Sequence, residues 1–453
     1  MGFGFRVKQL DYDLTPVAGL ALVGHHLKRL DPLFKRLDAQ WPCRGGLPPS
    51  TLMRSYVGLL AQSKSDFDAI EGFRGDRFFQ EALGLVGVPS SPTLRQRLDA
   101  QAALWFDFTS QAIEALLRKS QPDYGLLPCG HVPLDIDTFA MDNSGTAKDG
   151  VSRTYAGVDG YCPLAAYLGT HGFCLEFALR PGAQHSASET TYNLETAVPM
   201  AQRLSTAGPK APILVRMDAG FCSAALMADM QRCNRPGLPR VDVLIKWNPR
   251  KTDPLEVLRR QELEGGLLWQ HPRAGKRVAV WEVAVQVEGI AHRLRRIVRI
   301  TERTVDARGQ QFLVPEIILE GWTTSLPKAI SAEAIIDLYA GHATHEQFHA
   351  EFKTDMDLER LPSGKFDTND LVCQLAALTM NVLRLMGQQG LLGPHAPVRH
   401  AARRRRLKTV IQELVIRAAR VINHGGRLWL GLGANDKAAR AFCDLHAQFA
   451  ASG

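Results

Sequence analysis

Two apolar segments of this sequence have the length and composition of buried strands, and both reach aspartates. The segment VPLDIDT contains Asp135 and Asp137, and the segment APILVRMD ends at Asp218. A hairpin pattern and a helix pattern lie between them. Short apolar runs bounded by turn signals and separated by helices are typical of a mixed sheet covered by helices. The sequence therefore predicts an α/β core whose strand ends can bring carboxylates together.

The composition narrows the class of protein. The chain has 453 residues, of which 45% are hydrophobic and 22% charged, as in ordinary globular proteins. The net charge of +8 favours an acidic partner such as nucleic acid. None of the eight cysteines forms a CxxC pair, and no secretory signal or membrane-length apolar run is seen. We expect a cytoplasmic bacterial protein with reduced thiols, no zinc knuckle and no membrane contact.

The pattern of elements divides the chain into four predicted regions. Residues 1–128 have helical periodicity, and residues 367–453 are also predicted to be helical. The α/β core is assigned to residues 129–238 and 326–366. Between its two parts, residues 239–325 alternate as strands and are interpreted as a β-rich insertion. A length of 453 residues suits such a multi-domain organisation.

Two basic helix patterns are candidates for contacts with DNA. A helix is predicted to begin near Ser90 or Ser91 and to carry Arg95 and Arg97, which fits either a helix-turn-helix reader or a solvated basic face. A second basic helix is predicted over residues 399–422, where four consecutive arginines could touch phosphates. Both patterns also fit solvent-exposed surfaces.

Three carboxylates occur where a metal site could form: Asp137, Asp218 and Glu346. Two Mg²⁺ ions about 3.5–4 Å apart can support phosphoryl transfer without a nucleophilic side chain, and they prefer oxygen ligands. Each acid taken alone also fits a cap, a turn or a solvated helix position. Asp135 is an alternative to Asp137 as the first acid.

The segment containing Glu346 allows two interpretations. Tyr339, His342, Glu346 and Lys353 are spaced by three, four and seven residues, which places them along one stripe of a helix. Such a stripe could hold both a metal ion and a phosphate.

The same segment also contains HEQFH, formed by His345, Glu346 and His349, which is the helix signature of zinc peptidases. No downstream signature supplies a third zinc ligand, and this interpretation leaves Asp137 and Asp218 without a role. Under the first interpretation we expect His345 and His349 to be packing or DNA-facing residues.

Several long motifs resemble a known family. The segments LDIDTFAMDNSGTAKDGVSRTYAGVDGYCPLAAYLGTHG, LRPGAQHSASETTYNL and ILVRMDAGF, followed by Y-x2-H-x3-E-x6-K, resemble the DDE transposases of bacterial insertion sequences. The nearest branch is the group named thirteen-eighty. The resemblance extends over residues 60 to 430, which is nearly the whole chain.

The resemblance implies a ribonuclease H-like catalytic core interrupted by the β-rich insertion. It implies that Asp137, Asp218 and Glu346 hold Mg²⁺, for which Mn²⁺ can substitute. In related transposases the last helix reads tyrosine, arginine, glutamate, lysine, so His342 departs from the pattern. Histidine cannot reproduce the bidentate arginine clamp on phosphate.

The resemblance also bears on other side chains. Lys148 and Arg153 are implied DNA-backbone contacts, together with Tyr339, His342 and Lys353. Trp322 could stack on a displaced base, although a core position is favoured for it.

The function implied is cut-and-paste transposition. The protein would bind the inverted-repeat ends of its element through residues 1–128, cleave double-stranded DNA and join the freed ends to a target. Holding two ends together implies a homodimer. The alternatives are a catalytically inactive DNA-binding relative that acts as a repressor and, with much less support, a zinc peptidase.

Overall fold

The structure is a computed structural model that describes residues 4, 7–9, 11–306, 308–398 and 400–451. The chain divides into two compact units. Unit 1 consists of residues 1–120, 147–149 and 350–453, and unit 2 consists of residues 121–146 and 150–349.

The elements follow one another along the chain. The strands are β1 (Asp13–Thr15), β2 (Val132–Thr138), β3 (Met141–Asp142), β4 (Ser152–Arg153), β5 (Asp159–Tyr161), β6 (Leu164–Leu168), β7 (Phe173–Ala178), β8 (Ile213–Met217), β9 (Val241–Lys246), β10 (Trp269–Arg273), β11 (Lys276–Val285), β12 (Leu294–Val305), β13 (Gln311–Thr324), β14 (Ala419–His424) and β15 (Arg427–Leu432). The α-helices are α1 (Leu20–Lys28), α2 (Asp31–Gln40), α3 (Pro49–Leu60), α4 (Arg77–Leu83), α5 (Ser91–Gln101), α6 (Phe106–Ser120), α7 (Thr190–Ala207), α8 (Ala224–Arg232), α9 (Pro254–Glu264), α10 (Ala332–Ala340), α11 (His345–Ala350), α12 (Phe366–Gly390), α13 (Leu407–Val410) and α14 (Ala439–Ala451). Short 3-10 helices lie at Phe67–Phe73, Ala102–Trp105, Ala219–Phe221 and Gly341–Thr344, and π-helical turns lie at Glu351–Asp355 and Ile411–Val415.

Unit 2 is built on one nine-stranded mixed sheet with the order β10-β11-β12-β13-β9-β8-β2-β6-β7. The centre is parallel, since β2 pairs with β8 and β8 with β9 in the same direction. β6 and β7 add as an antiparallel hairpin on one side. The predicted α/β core with a mixed sheet is therefore present.

The strands predicted as a β-rich insertion continue this sheet. β13 pairs with β9 through residues 322–324, and β12, β11 and β10 follow in antiparallel order. The last of them, β10, forms one edge, and its pairing with β11 shifts register between Gln270 and Arg273, on either side of Pro272. The insertion thus extends the core sheet without forming a second one.

The central strands are covered on both faces. Every residue of β2 and of β8 is buried, as expected for parallel strands with helices on each side. One apolar cluster joins the sheet to α10 and consists of Leu214, Leu244, Ile297, Trp322, Leu326, Ile335 and Leu338. Trp322 is 2% exposed, so in this structure it is the core aromatic that the sequence favoured.

The hairpin predicted at Thr170, His171 and Gly172 forms between β6 and β7. Gly172 has φ +70°, a conformation that residues with a side chain rarely adopt. A Cβ atom built on Gly172 would lie 2.4 Å from the ring of Phe348, a residue of α11. The missing side chain therefore lets α11 approach the turn closely.

Unit 1 is mainly helical and is centred on α12. Eighteen of the residues in this 25-residue helix are buried, which is typical of a helix surrounded by others. It contacts α1, α3, α5, α6, α13 and α14. A small antiparallel sheet of order β1-β14-β15 completes the unit.

The prediction of one basic helix over residues 399–422 is wrong. Only residues 407–415 are helical, first as α13 and then as a π-helical turn, and residues 419–424 form β14. β14 pairs with β15 across Gly425 and Gly426, both at positive φ. A two-glycine turn between residues of strand propensity is a hairpin signal, and it prevails over the helical spacing. Arg399, where the predicted helix starts, lies outside the described residues.

Two expectations from the composition concern membrane-spanning helices and disulfide bonds. In the described residues, no helix has the length and hydropathy needed to cross a membrane. Across the same part of the chain, the eight cysteines are not joined by disulfides.

Candidate metal centre in unit 2

The parallel pairing of β2 and β8 brings Asp137 and Asp218 near each other. Asp135 of β2 lies opposite Arg216 of β8, where the register of the two strands ends. Asp137 lies two residues further along β2, on the same face as Asp135. Asp218 directly follows the end of β8, close enough for the charge of Asp137 to act on it.

Asp135 and Arg216 form a buried ion pair. Arg216 donates from Nε and Nη2 to the two carboxylate oxygens of Asp135, each at 2.7 Å, and from Nη1 to the backbone oxygen of Leu338 at 2.6 Å. His342 Nδ1 lies 2.9 Å from Asp135 Oδ1. Burial alone would raise the pKa of Asp135, but Arg216 and His342 lower it to about 2. Asp135 is therefore already satisfied, and Asp137 is the freer candidate for the first metal acid.

Asp137 divides its two oxygens between different partners. Oδ1 accepts a hydrogen bond from the backbone N–H of Thr138 at 2.8 Å. Oδ2 lies 2.6 Å from His345 Nε2 and 3.9 Å from His349 Nε2. One oxygen is thus fixed by the backbone, and the other faces two imidazoles.

Asp218 begins the turn that follows β8. Its Oδ1 accepts from the backbone N–H of Gly220 at 2.8 Å and so caps the 3-10 helix at residues 219–221. Burial raises the pKa of Asp218 above its ordinary value, and the neighbouring charge of Asp137 raises it further. A buried carboxylate beside a second acid is a place where a cation would be stabilised.

Glu346 lies on α11, next to this pair. Its side chain is 72% exposed, and Oε1 lies 3.7 Å from His345 Nε2. Because Asp137 Oδ2 contacts the same nitrogen, the two carboxylates flank one imidazole. The structure thus brings Asp137, Asp218 and Glu346 to one region of unit 2, while their metal-binding roles stay a prediction.

From the sequence, His345 and His349 are expected to be packing or DNA-facing residues. Both are buried, and their ligand atoms lie with that of Asp137 within 4.8 Å of one another. His345 Nδ1 donates to the backbone oxygen of His342, which leaves Nε2 facing Asp137. Burial lowers the pKa of His345, but the bond to Asp137 outweighs burial and raises it. The spacing of four residues in HEQFH was the available signal for this pair.

Two other predicted DNA contacts of unit 2's last helical segment lie away from solvent. His342 is buried against Asp135, and its ring centroid is 5.5 Å from that of Tyr339. Tyr339 is half-buried, with its ring centroid 6.1 Å from that of Trp322. His342 therefore braces the segment against the sheet in this structure, and a DNA contact by either residue is untested.

The remaining predicted DNA contacts are held by local partners. Lys353 pairs with Glu359 at 3.0 Å, and Lys148 donates to the backbone oxygen of Leu361, all within unit 1. Exposed Arg153 lies 3.4 Å from Asp159. These contacts leave a role in DNA binding untested.

Arg95 and Arg97 lie on α5, whose start was predicted correctly. Ser90 accepts from the backbone N–H of Thr93 and caps the helix. Arg95 is 3.7 Å from Asp68, and Arg97 donates to the backbone oxygen of Leu47 at 3.1 Å. The partners of Arg97 tie α5 to the preceding loop, so Arg95 is the more available of the two.

The donor set can be tested against the ions that it would hold. Asp137, Asp218 and Glu346 supply the hard oxygen donors that Mg²⁺ prefers, and the raised pKa of Asp218 reflects its burial and its repulsion by Asp137. A divalent cation would relieve that repulsion. The carboxylates therefore fit a divalent ion, although His345 and His349 add nitrogen donors at Asp137.

Comparisons with known proteins identify the family. The family model described as transposase DDE domain group 1 matches residues 38–452. No curated protein matches the chain. Seven chains of solved structures match; one is a piggyBac transposase in a synaptic complex with hairpin DNA, which has 10% sequence identity and a TM-score of 0.42. That match covers 88% of this chain and 79% of the other. Because the family model spans most of its length, the chain belongs to the transposase DDE domain group 1 family.

Proposed function

We propose that this transposase cuts and joins DNA with divalent metal ions held by Asp137, Asp218 and Glu346. The observation that supports the proposal is the proximity of Asp137, near the end of β2, to Asp218, just beyond the end of the adjacent strand β8, whose carboxylate feels the charge of Asp137. Glu346 flanks the same imidazole as Asp137. Mg²⁺ is the proposed ion, and Mn²⁺ is expected to substitute for it.

The three acids have separable roles. Asp137 and Asp218 are proposed to hold the ions between them, and Glu346, on an exposed helix face, is proposed to complete the site when DNA arrives. Bound divalent ions supply activation of a water or a 3′-hydroxyl and stabilise the leaving oxygen. The protein's own contribution is positioning: Thr138 and Gly220 each fix one oxygen of an acid by a backbone N–H.

A ribonuclease H-like core is proposed for unit 2. The order β7-β6-β2-β8-β9, with an antiparallel hairpin beside three parallel strands, supports this assignment. Both proposed aspartates then come from central, adjacent strands, where ligands of open α/β sheets commonly bind.

The proposed substrate is double-stranded DNA carrying the inverted-repeat ends of an element. The net charge of +8 supports an anionic partner. Residues 1–128 are proposed to bind the ends, with the half-buried Arg95 as a contact, and Arg153 and Lys353 are proposed to meet the backbone near the cleavage site. A homodimer is proposed to hold two ends together.

The test is strand cleavage on a labelled end duplex with Mg²⁺ or Mn²⁺. Asp218→Asn preserves the size of the side chain and the oxygen that accepts from Gly220. We expect cleavage to fall at least about 100-fold while end binding is retained, a loss of about 2.7 kcal/mol in transition-state stabilisation. Glu333→Gln, an exposed residue at the start of α10, is the matched control.

Unchanged cleavage in Asp218→Asn would overturn the assignment of this acid. Binding of the ends without cleavage by the unaltered protein, under either ion, would instead support the inactive repressor.

A further inference from the structure

We propose that Asp137, His345 and His349 form a mixed nitrogen–oxygen site for a first-row transition metal ion such as Mn²⁺, Co²⁺ or Zn²⁺. This proposal rests on the proposed function in one respect: Asp137 is a ligand in both sites. The carboxylate triad by itself calls for oxygen ligands alone, so the two imidazoles are an addition that needs its own explanation.

The geometry of the three side chains is the first support. His345 and His349 stand four residues apart on α11 and therefore on one face of it. Both Nε2 atoms are turned to the same oxygen, Asp137 Oδ2, at 2.6 and 3.9 Å. Ligands that are each about 2.0–2.2 Å from one ion stand about 3–3.5 Å apart. The observed spacing brackets that range, so small side-chain rotations would suffice.

The surroundings of His345 are the second support. Its Nδ1 donates to the backbone oxygen of His342, which fixes the ring and assigns Nε2 to the ligand side. A second ring nitrogen bound to a backbone carbonyl is the usual arrangement for a metal-ligating histidine. Asp137 has the same two-sided arrangement, because Oδ1 is held by the N–H of Thr138 and only Oδ2 faces the imidazoles.

The burial of the cluster favours a metal site over a surface contact with DNA. All three side chains are buried, and the ring of His349 packs edge-on against Phe139, with centroids 4.2 Å apart. Side chains fixed in this way cannot follow a DNA backbone. They can hold a compact cation, and two imidazoles with one carboxylate are a donor set suited to transition metals and not to Mg²⁺.

The arrangement also accounts for HEQFH without a peptidase. The two histidines of the motif face the sheet, whereas Glu346 between them is 72% exposed. The third protein ligand is supplied by Asp137, more than two hundred residues earlier in the chain. One helical turn would thus serve the transition-metal site with its buried face and the proposed DNA-cleavage site with its exposed face.

The experiment is metal binding by the full-length protein without DNA. After chelation and dialysis, Mn²⁺ or Co²⁺ is titrated and the stoichiometry is measured by elemental analysis. Pulsed EPR of the Mn²⁺ complex reports coupling to imidazole nitrogen. We expect one tightly bound ion per chain with nitrogen coupling, and Mg²⁺ to bind at least about 100-fold more weakly.

Two variants test the ligands, with one control. His345→Gln and His349→Gln should each weaken Mn²⁺ binding at least about tenfold and reduce the nitrogen coupling. Glu333→Gln is the control, since Glu333 is an exposed residue of α10 outside both donor sets. Thermal unfolding without metal is recorded for each variant, and the ring-preserving variants His345→Phe and His349→Phe are used if a glutamine variant unfolds.

The outcomes separate this proposal from the proposed function. Mn²⁺ binding that lacks nitrogen coupling in the unaltered protein, or that is unchanged in the histidine variants, would overturn the transition-metal site whatever the cleavage assay shows. Failure of DNA cleavage with every divalent ion would overturn the proposed function and leave a positive Mn²⁺ titration standing.

Discussion

Arg216 of β8 donates one hydrogen bond to each carboxylate oxygen of Asp135 of β2, and this ion pair is buried. Asp137 lies two residues further along β2, where its Oδ2 faces the imidazole of His345, and Asp218 lies beyond the end of β8. Both oxygens of Asp135 are thus held by one arginine, whereas Asp137 faces imidazole and the neighbouring carboxylate of Asp218. This difference, together with the sequence motif, supports Asp137 over Asp135 as the proposed metal ligand.

The first prediction concerns the charge of Asp218. The two acids repel each other in a buried site, so Asp218→Asn should raise the unfolding temperature of the metal-free protein, by an amount equivalent to about 0.5–1 kcal/mol. The same variant should lose most of the stabilisation that Mg²⁺ gives the unaltered protein, because Asp218 belongs to the carboxylate set proposed for that ion. Scanning calorimetry with chelator and with Mg²⁺ measures both. A variant less stable than the original without metal would contradict the repulsion.

The second prediction concerns the ion pair itself. Arg216→Met leaves Asp135 as a buried charge without its main partner and removes the bond to the backbone of Leu338. We expect a loss of about 3–5 kcal/mol in the free energy of unfolding. The double variant Asp135→Leu/Arg216→Met should recover part of that loss, because no charge is then left buried.

Denaturant titration measures these free energies, and an exposed pair provides the comparison. Arg77 and Glu81 form an ion pair at 2.8 Å on the surface of α4. Arg77→Gln should cost less than about 0.5 kcal/mol. If Arg77→Gln and Arg216→Met lowered the free energy of unfolding by similar amounts, burial of the ion pair would not explain the effect of Arg216→Met.

The third prediction is a pH dependence that comes from His131. Nε2 lies 3.0 Å from Asp242 Oδ2, and Nδ1 lies 3.1 Å from the backbone oxygen of Cys129. Burial lowers the pKa of His131, but these partners raise it to about 9. A raised folded-state pKa gives stability that is complete below the unfolded value, about 6.5, and is lost as the pH rises through about 9.

We expect a loss of about 1–3 kcal/mol between pH 6.5 and 9 that His131→Gln does not show. Chemical denaturation at a series of pH values measures it. Parallel curves for the two proteins across that interval would rule out the contribution of His131.

The fourth prediction separates two neighbouring arginines of the run at residues 403–406. Arg404 Nη1 lies 2.5 Å from Glu351 Oε1, and Arg384 holds the other oxygen of that buried carboxylate. Arg403 is exposed. Arg404→Gln should therefore destabilise unit 1 by about 2–4 kcal/mol.

Arg403→Gln should leave stability within about 0.5 kcal/mol and, if it touches phosphate, reduce the salt dependence of DNA binding by about one ion. DNA affinity measured at several salt concentrations, together with thermal unfolding, separates the two effects. Equal stability losses in both variants would contradict the contrast.

Local pattern predicted the parts of the fold that depend on local residues. The acids at the ends of β2 and β8, the hairpin at Gly172 and the cap at Ser90 follow from periodicity and turn chemistry, and all are present. The aspartates of β2 are nevertheless buried, so their position in the apolar run could be read from the sequence while their burial could not.

What was missed depends on distant partners. An arginine inside the apolar run ILVRMD signals a buried counter-charge, but only the β2–β8 register reveals that it is Asp135. His345 and His349 could be placed on one face from their spacing, whereas their approach to Asp137 requires the packing of α11 against the sheet. The arginine run fitted a solvated helix until Glu351 and Asp355 were seen to bind Arg404 and Arg406.

The edge strand β10 has a consequence for growth of the sheet. A nine-stranded sheet with a bare outer strand could accept a strand from another molecule and begin to aggregate. Pro272 lacks the N–H needed to extend the hydrogen-bond ladder, and the adjacent register shift disrupts its spacing. Pro272 and the register shift therefore disfavour the pairing of a further strand with β10, and we expect them to limit self-association at this edge of the sheet.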